Sequence, residues 1–256
     1  MDAELEFPKQ LIDALRSAQQ VVVLTGAGVS KESGIPTFRE AQTGLWANYN
    51  PEDLATPEAF QRDPKLVWEW YTWRRGLVSE ASPNPGHYAI VEIARRVPGF
   101  SLITQNVDGL HQRAGSDAVL ELHGNIMRTK CFEENVLVES WQDNEGIPPK
   151  CPRCGGFLRP DVVWFGEGLP EGVLDQAVEA AVGADVFLSV GTSSVVQPAA
   201  SLPLYARQAG ALVVEINPES TPLSQLAEMV IPHPSGEALP ALVQQVWGSE
   251  KKRSYQ

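Results

Sequence analysis

Cysteine is scarce in this chain: three in 256 residues. That is too few for a disulfide framework, so cohesion has to come from a buried core. Positive charge is scarce as well. Twenty Lys and Arg stand against 32 Asp and Glu, for a net charge of −12 and a pI near 4.8. This balance excludes a sequence-independent grip on nucleic acid or on an anionic membrane surface, since both depend on Lys/Arg clusters. No apolar run approaches the ~20 residues needed to span a bilayer. The N-terminus MDAELEF is acidic where a secretory signal would be basic and then apolar, so a soluble, cytoplasmic protein is expected. Repeats and low-complexity segments are missing too, and only the tail 251–256, within SEKKRSYQ, looks loose. Against these absences, 43% of the residues are hydrophobic, enough for one large domain or a large one carrying a small insert.

Short β-branched runs recur, each ending abruptly in small or polar residues: VVVLT before GAGVS, FSLIT before QNVDG, AVLEL before HGN, VFLSV before GTSS, LVVEI before NPES. Amphipathic segments of helical length lie between them, at Pro8–Gln19, His87–Arg96, Gly172–Val182 and Ala199–Ala209. Such alternation predicts an α/β fold, a parallel sheet with helices on both faces, whose ligands gather at the carboxyl ends of the strands. Two stretches break the alternation. Residues 44–85 are Trp-rich and helical in pattern, with Thr56 before Pro57 and Asp63 before Pro64 as expected N-caps. Residues 127–157 hold all three cysteines. The expected division is a large domain of 1–43, 86–126 and 158–250, with both inserts packed together as a small lobe.

Several groups at the strand ends are chemically suggestive. Gly26-Ala27-Gly28 allows a tight turn and close approach of backbone N–H groups to a pyrophosphate, although Lys31 stands where a dinucleotide fingerprint has its third glycine. A plain strand-to-helix turn explains the same residues. Gln105, Asn106 and Asp108, polar residues just past a strand end, offer contacts to a ligand or simply satisfy a turn. His123 is either a base or a hydrogen-bonded structural histidine. CPRCGG has the spacing of a metal knuckle.

The helix expected over WEWYTWRRGLV carries a puzzle. Val67, Trp70, Tyr71, Leu77 and Val78 form a core-facing stripe, and Arg74 falls within it. An unpartnered buried guanidinium costs several kcal/mol, so something anionic should meet it. Arg75 falls off the stripe and is expected to be solvated.

GAGVSKESGIPTFR, TQNVDGLHQRAG, ELHGN, VVWFGE and GTSSVVQPAA, in this order over nearly the whole chain, resemble the sirtuin family of NAD-dependent protein lysine deacylases. The resemblance implies a Rossmann-like domain with a small lobe made of a helical and a zinc-binding insert. It implies that Gly26, Ala27, Gly28, Ser30, Pro36, Phe38 and Arg39 form a loop over NAD, and that Gln105, Asn106 and Asp108 contact nicotinamide and its ribose. Gly191, Thr192, Ser193 and Asn217 would take the phosphates and the adenosine half; as a plain alternative, GTSS is a helix start. The acyl oxygen of a modified lysine would attack the anomeric carbon as nicotinamide leaves. His123 would be the general base, and the products free lysine and O-acyl-ADP-ribose. The resemblance also suggests that Val162, Val163, Phe165 and Gly166 pair with an acylated peptide as an added strand, although core packing accounts for Val162, Trp164 and Phe165 as well.

Two features are particular to this sequence. Sirtuins usually offer two cysteine pairs for structural zinc; here Cys131, Cys151 and Cys154 are joined by Glu134 where a fourth thiolate is expected, leaving carboxylate, water or a labile site as alternatives. Tyr71-Thr-Trp-Arg74 matches the Tyr-x-x-Arg of the sirtuin branch that removes succinyl and malonyl groups, and a distal acyl carboxylate would be the missing anion. A structural ion pair is the competing explanation. A plain deacetylase, a protein ADP-ribosyltransferase, a silent NAD-binding module and a dehydrogenase are the other functions to separate.

Overall fold

The protein is described by a computed structural model covering residues 5–36, 54–142 and 146–248. Six strands form one parallel sheet, β1 (Gln20–Thr25), β2 (Gly99–Thr104), β3 (Val119–Glu121), β6 (Val186–Val190), β7 (Leu212–Ile216) and β8 (Met229–Ile231), in the order β3-β2-β1-β6-β7-β8. Side chains alternate along a strand, and here both faces are covered. Val21 and Val23 join a core under the helices Lys9–Ser17, Pro85–Arg96 and Ser235–Trp247. Val22 and Leu24 join the opposite core, beneath Val173–Val182 and Leu202–Gln208. This is why β1 reads as an unbroken apolar run.

Strand order reverses at β1, which pairs with β2 on one side and β6 on the other. A crevice opens outside the strand ends at such a switch point. GAGVS, QNVDG and GTSS all leave the sheet there.

Residues between β3 and β6 build a second, two-stranded antiparallel sheet from β4 (Gly124–Cys131) and β5 (Leu158–Val162). Over it pack the helices Pro57–Arg62 and Pro64–Glu80. Phe60, Trp70, Tyr71, Ile126, Val162 and Trp164 share one core, and Cys131, Cys151, Leu158 and Trp68 another. The caps expected for both helices form: Thr56 accepts from Ala59 N–H at 3.1 Å and Asp63 from Leu66 N–H at 3.0 Å, satisfying otherwise orphaned donors.

The structure departs from expectation in places. The segment Ala199–Ala209 divides into a 3₁₀ turn, Ala199–Ser201, and a helix, Leu202–Gln208. Strand β8 and the helix Ser235–Trp247, which contains Pro240, were not anticipated from periodicity. Arg75 is not solvated: its Nε donates to Ile126 O at 2.6 Å, its Nη2 to Arg128 O at 2.8 Å and Thr129 Oγ1 at 3.0 Å, and it stacks on Trp68. A long side chain off the apolar stripe reached neighbouring backbone rather than water. The tail 251–256 lies outside the described residues.

Candidate functional site

The glycines of the first loop serve loop packing. Gly26 N–H donates to Val190 O at 3.1 Å and Gly28 N–H to Gly191 O at 2.8 Å, so both N–H groups are spent within the fold rather than aimed at a phosphate. A Cβ on Gly28 would stand 2.7 Å from Gly191 O, and one on Gly26 2.8 Å from Thr192 Cα. Only glycine lets the loops after β1 and β6 touch this closely. Gly191 itself needs its φ of +59°. Ala27 is exposed and Pro36 half-buried beside the crevice, whereas Phe38 and Arg39 fall outside the described residues.

Ser30 is brought to the cluster after β2. Its hydroxyl donates to Asp108 Oδ2 at 2.8 Å and accepts from Asn106 Nδ2 at 3.2 Å; Leu110 N–H donates to Asp108 Oδ1 at 2.9 Å. Asn106 and Asp108 are 8% and 6% exposed, more sheltered than a turn alone requires. Burial pushes the Asp108 carboxyl up, while the Leu110 N–H, the Ser30 hydroxyl and the Arg74 charge pull it back. Gln105 Nε2 donates to Thr192 Oγ1 at 2.9 Å, and Asn217 Nδ2 to Thr192 O at 3.0 Å. Thr192 therefore ties the ends of β2, β6 and β7 together, while Ser193 stays exposed. Ser194 Oγ, buried with no hydrogen-bond partner among the described residues and held at φ +55°, is a polar atom suited to a bound ligand.

His123 follows β3, and its Nδ1 lies 3.0 Å from Gln105 O. A carbonyl can only accept, so Nδ1 carries the proton and Nε2 keeps a lone pair, the tautomer a general base needs. Burial pushes this imidazole below its ordinary value, partly opposed by the Gln105 carbonyl. It thus stays neutral further into the acid range than a free histidine.

Beneath the cluster lie two histidines that sequence reasoning did not single out. His111 Nε2 is 2.9 Å from Thr25 Oγ1, and its ring packs on His87 at 4.8 Å between centroids. Burial lowers both, to about 4 for His87 and about 3 for His111, the latter also lowered by His87. Folded values below the unfolded ~6.5 mean that the unfolded chain binds protons first. The stability these neutral rings contribute is full above ~6.5 and is lost as pH falls toward 4. At pH 5 the expected loss is about 2 kcal/mol per histidine relative to neutral pH. Urea unfolding at pH 7 and pH 5 measures it, and a His87→Gln/His111→Gln variant should have a flatter pH dependence.

Arg74 is half-buried on the helix Pro64–Glu80, with its guanidinium over Trp70 at 5.0 Å. Burial disfavours its charge, and neighbouring Tyr71 and Asp108 counteract this. Tyr71 is 1% exposed, and its hydroxyl accepts from Trp164 Nε1 at 2.9 Å.

The segment expected to be an open strand edge is not one. Val162 is buried in β5 opposite Gly124. Val163 N–H donates to His123 O, Trp164 N–H to Glu167 Oε2 and Phe165 N–H to Ala55 O, at 2.9, 2.8 and 2.9 Å. These three donors are spent within the fold, in a turn where Gly166 takes a φ of +88° and Phe165 stays exposed.

Cys131, Glu134, Cys151 and Cys154 each bring one ligand atom into a group spanning no more than 4.8 Å. The donor set suits tetrahedral zinc, with the carboxylate in the place of a fourth thiolate. Glu134 also pairs with Arg153 at 3.2 Å. Because such binding free energy is folding free energy, chelation should lower the melting temperature, and Glu134→Ala should yield its zinc to a chelator about tenfold more readily, read by a colorimetric indicator.

The Sir2 family sequence model matches residues 26–198. The "NAD-dependent protein deacylase" of Aquifex aeolicus is 57% identical over 210 residues, 82% of this chain and 87% of that protein. The "NAD-dependent protein deacylase 2" of Pyrobaculum aerophilum is 54% identical across 91% of this chain and 94% of its own. Among solved structures, a Sir2 homologue in complex with NAD superposes with a TM-score of 0.88 at 47% identity, covering 96% of each chain. A Sir2 protein bound to acetylated peptide gives 0.85 at 30% identity, covering 95% of this chain and all of the other. The six-stranded parallel sheet, the polar cluster at its switch point and these likenesses agree: the chain belongs to the Sir2 family.

Proposed function

We propose that the protein is an NAD-dependent lysine deacylase that prefers acidic acyl chains, succinyl or malonyl over acetyl. The observation that carries the activity is the 3.0 Å contact between His123 Nδ1 and Gln105 O, which fixes the neutral tautomer with Nε2 as a ready acceptor, near the loop that carries the Ser30–Asn106–Asp108 cluster. NAD, as co-substrate, would supply the glycosidic bond that is broken. Asn106 and Asp108 would orient the nicotinamide ribose, Gln105 would hold the loop that carries them, and Gly191, Thr192, Ser193 and Asn217 would lie along the rest of the cofactor. Ala27, Pro36, Phe38 and Arg39 belong to the same reading as a covering loop. His123 Nε2 would then take a proton from a ribose hydroxyl.

The acyl preference rests on Tyr71 and Arg74. A carboxylate at the end of the acyl chain would meet a guanidinium that burial otherwise disfavours. Val163, Phe165 and Gly166 would flank the peptide, and Val162 would support them from the core. The division into a large domain and a small lobe is part of this reading, supported by separate cores under the two sheets. Zinc would be structural, bound by Cys131, Cys151 and Cys154 with Glu134. Acetyl, malonyl and succinyl peptides compared on one preparation, with nicotinamide as the readout, test the proposal; faster turnover of acetyl than of both acidic chains would contradict the preference.

A further inference from the structure

Trp164 is held more firmly than a core aromatic requires. Its ring lies 3.2 Å from the Arg159 guanidinium, measured to the ring centroid. Arg159, 2% exposed, is in turn clamped by Glu167, which also accepts the Trp164 backbone N–H at 2.8 Å. The indole is thus fixed with Nε1 aimed at Tyr71, 2.9 Å from its hydroxyl oxygen. An indole N–H can only donate, so the Tyr71 oxygen must accept. The phenol's own hydrogen is then directed away from Trp164, and no other hydrogen bond of this hydroxyl is found among the described residues.

We propose that Trp164 is a positioning residue for acyl selectivity: its N–H makes the Tyr71 hydroxyl a committed donor toward an acceptor lying between Tyr71 and Arg74, which suits a carboxylate and gives nothing to a methyl group. The inference rests on the acidic-acyl reading and deepens it.

The test compares Trp164→Phe and an isosteric Trp164→3-benzothienylalanine protein, which lacks only the N–H, each alone and combined with Tyr71→Phe. The expected result is a rise of about fivefold in KM for a succinylated peptide with kcat nearly unchanged, and no such rise for an acetylated one. In the Tyr71→Phe background, neither substitution at Trp164 should add to the effect. Equal changes on both peptides, or an undiminished effect without the Tyr71 hydroxyl, would overturn the proposal. Should Trp164→Phe fold poorly, the isostere decides. If the unaltered enzyme has no acidic preference, the parent reading fails. If that preference is present and falls with Arg74→Met but survives loss of the indole N–H, only the role of Trp164 fails.

Discussion

Replacing His123 with alanine is expected to reduce formation of deacylated lysine by about 10³-fold, within the 10²–10⁴ usual for loss of a positioned base. The loss should be the same for acetyl and succinyl peptides, because the proposed role of His123 is on the ribose and not on the distal acyl group. On the proposed mechanism, bond cleavage to nicotinamide would precede the step that needs the base, so exchange of labelled nicotinamide into NAD should fall far less. A variant that lost both equally would place the imidazole earlier in the reaction or reduce it to a structural role. The pH profile gives a second check. His123 must be neutral to accept a proton, and burial pushes it below the ordinary histidine value. The acid limb of kcat/KM should therefore lie below ~6.5, with activity retained as pH falls toward that limb.

Arg74→Met should lower kcat/KM for a succinylated peptide about 100-fold, the loss of about two charge-assisted hydrogen bonds at roughly 1.5 kcal/mol each. Acetyl turnover should fall much less. Some common loss is expected, because the Arg74 charge also opposes the upward push that burial gives the Asp108 carboxyl. The ratio of the two peptides is therefore the quantity to measure, and the absolute rate is not. Arg74→Lys should lie between, since it keeps the charge and loses the planar fork. A ratio unchanged in Arg74→Met would leave only a structural link to Asp108.

The pattern of strand ends was legible because polar residues after a buried apolar run leave few other readings. It located Gln105, Asn106, Asp108, Thr192 and Asn217 on one side of the sheet. The caps at Thr56 and Asp63 were equally legible, being local hydrogen bonds written into consecutive residues. What the sequence withheld was partnership across space. Periodicity aimed Arg74 inward but said nothing of Asp108, and it sent Arg75 to solvent although its side chain is long enough to reach the carbonyls of Ile126 and Arg128. Glycine in GAG suggested phosphate contact; the nearer cause is steric, a second loop at Gly191 and Thr192 too close for any Cβ. The stretch VVWFGE looked extended, but two of its N–H groups are taken by His123 and Ala55, residues whose proximity no local pattern encodes, and a third turns back on Glu167 within the stretch itself. The His87–His111 pair was hidden for the same reason, since each sits in an ordinary helical segment and only the fold stacks them.

The most direct test of the whole account follows nicotinamide released from NAD by the zinc-loaded protein, with a succinylated peptide, the same peptide acetylated, and the same peptide unmodified. Release that requires an acylated lysine, matches the deacylated product one for one and is fastest for the succinyl chain is the predicted result. NAD left intact with every acylated peptide, or consumed equally with the unmodified one, would contradict it.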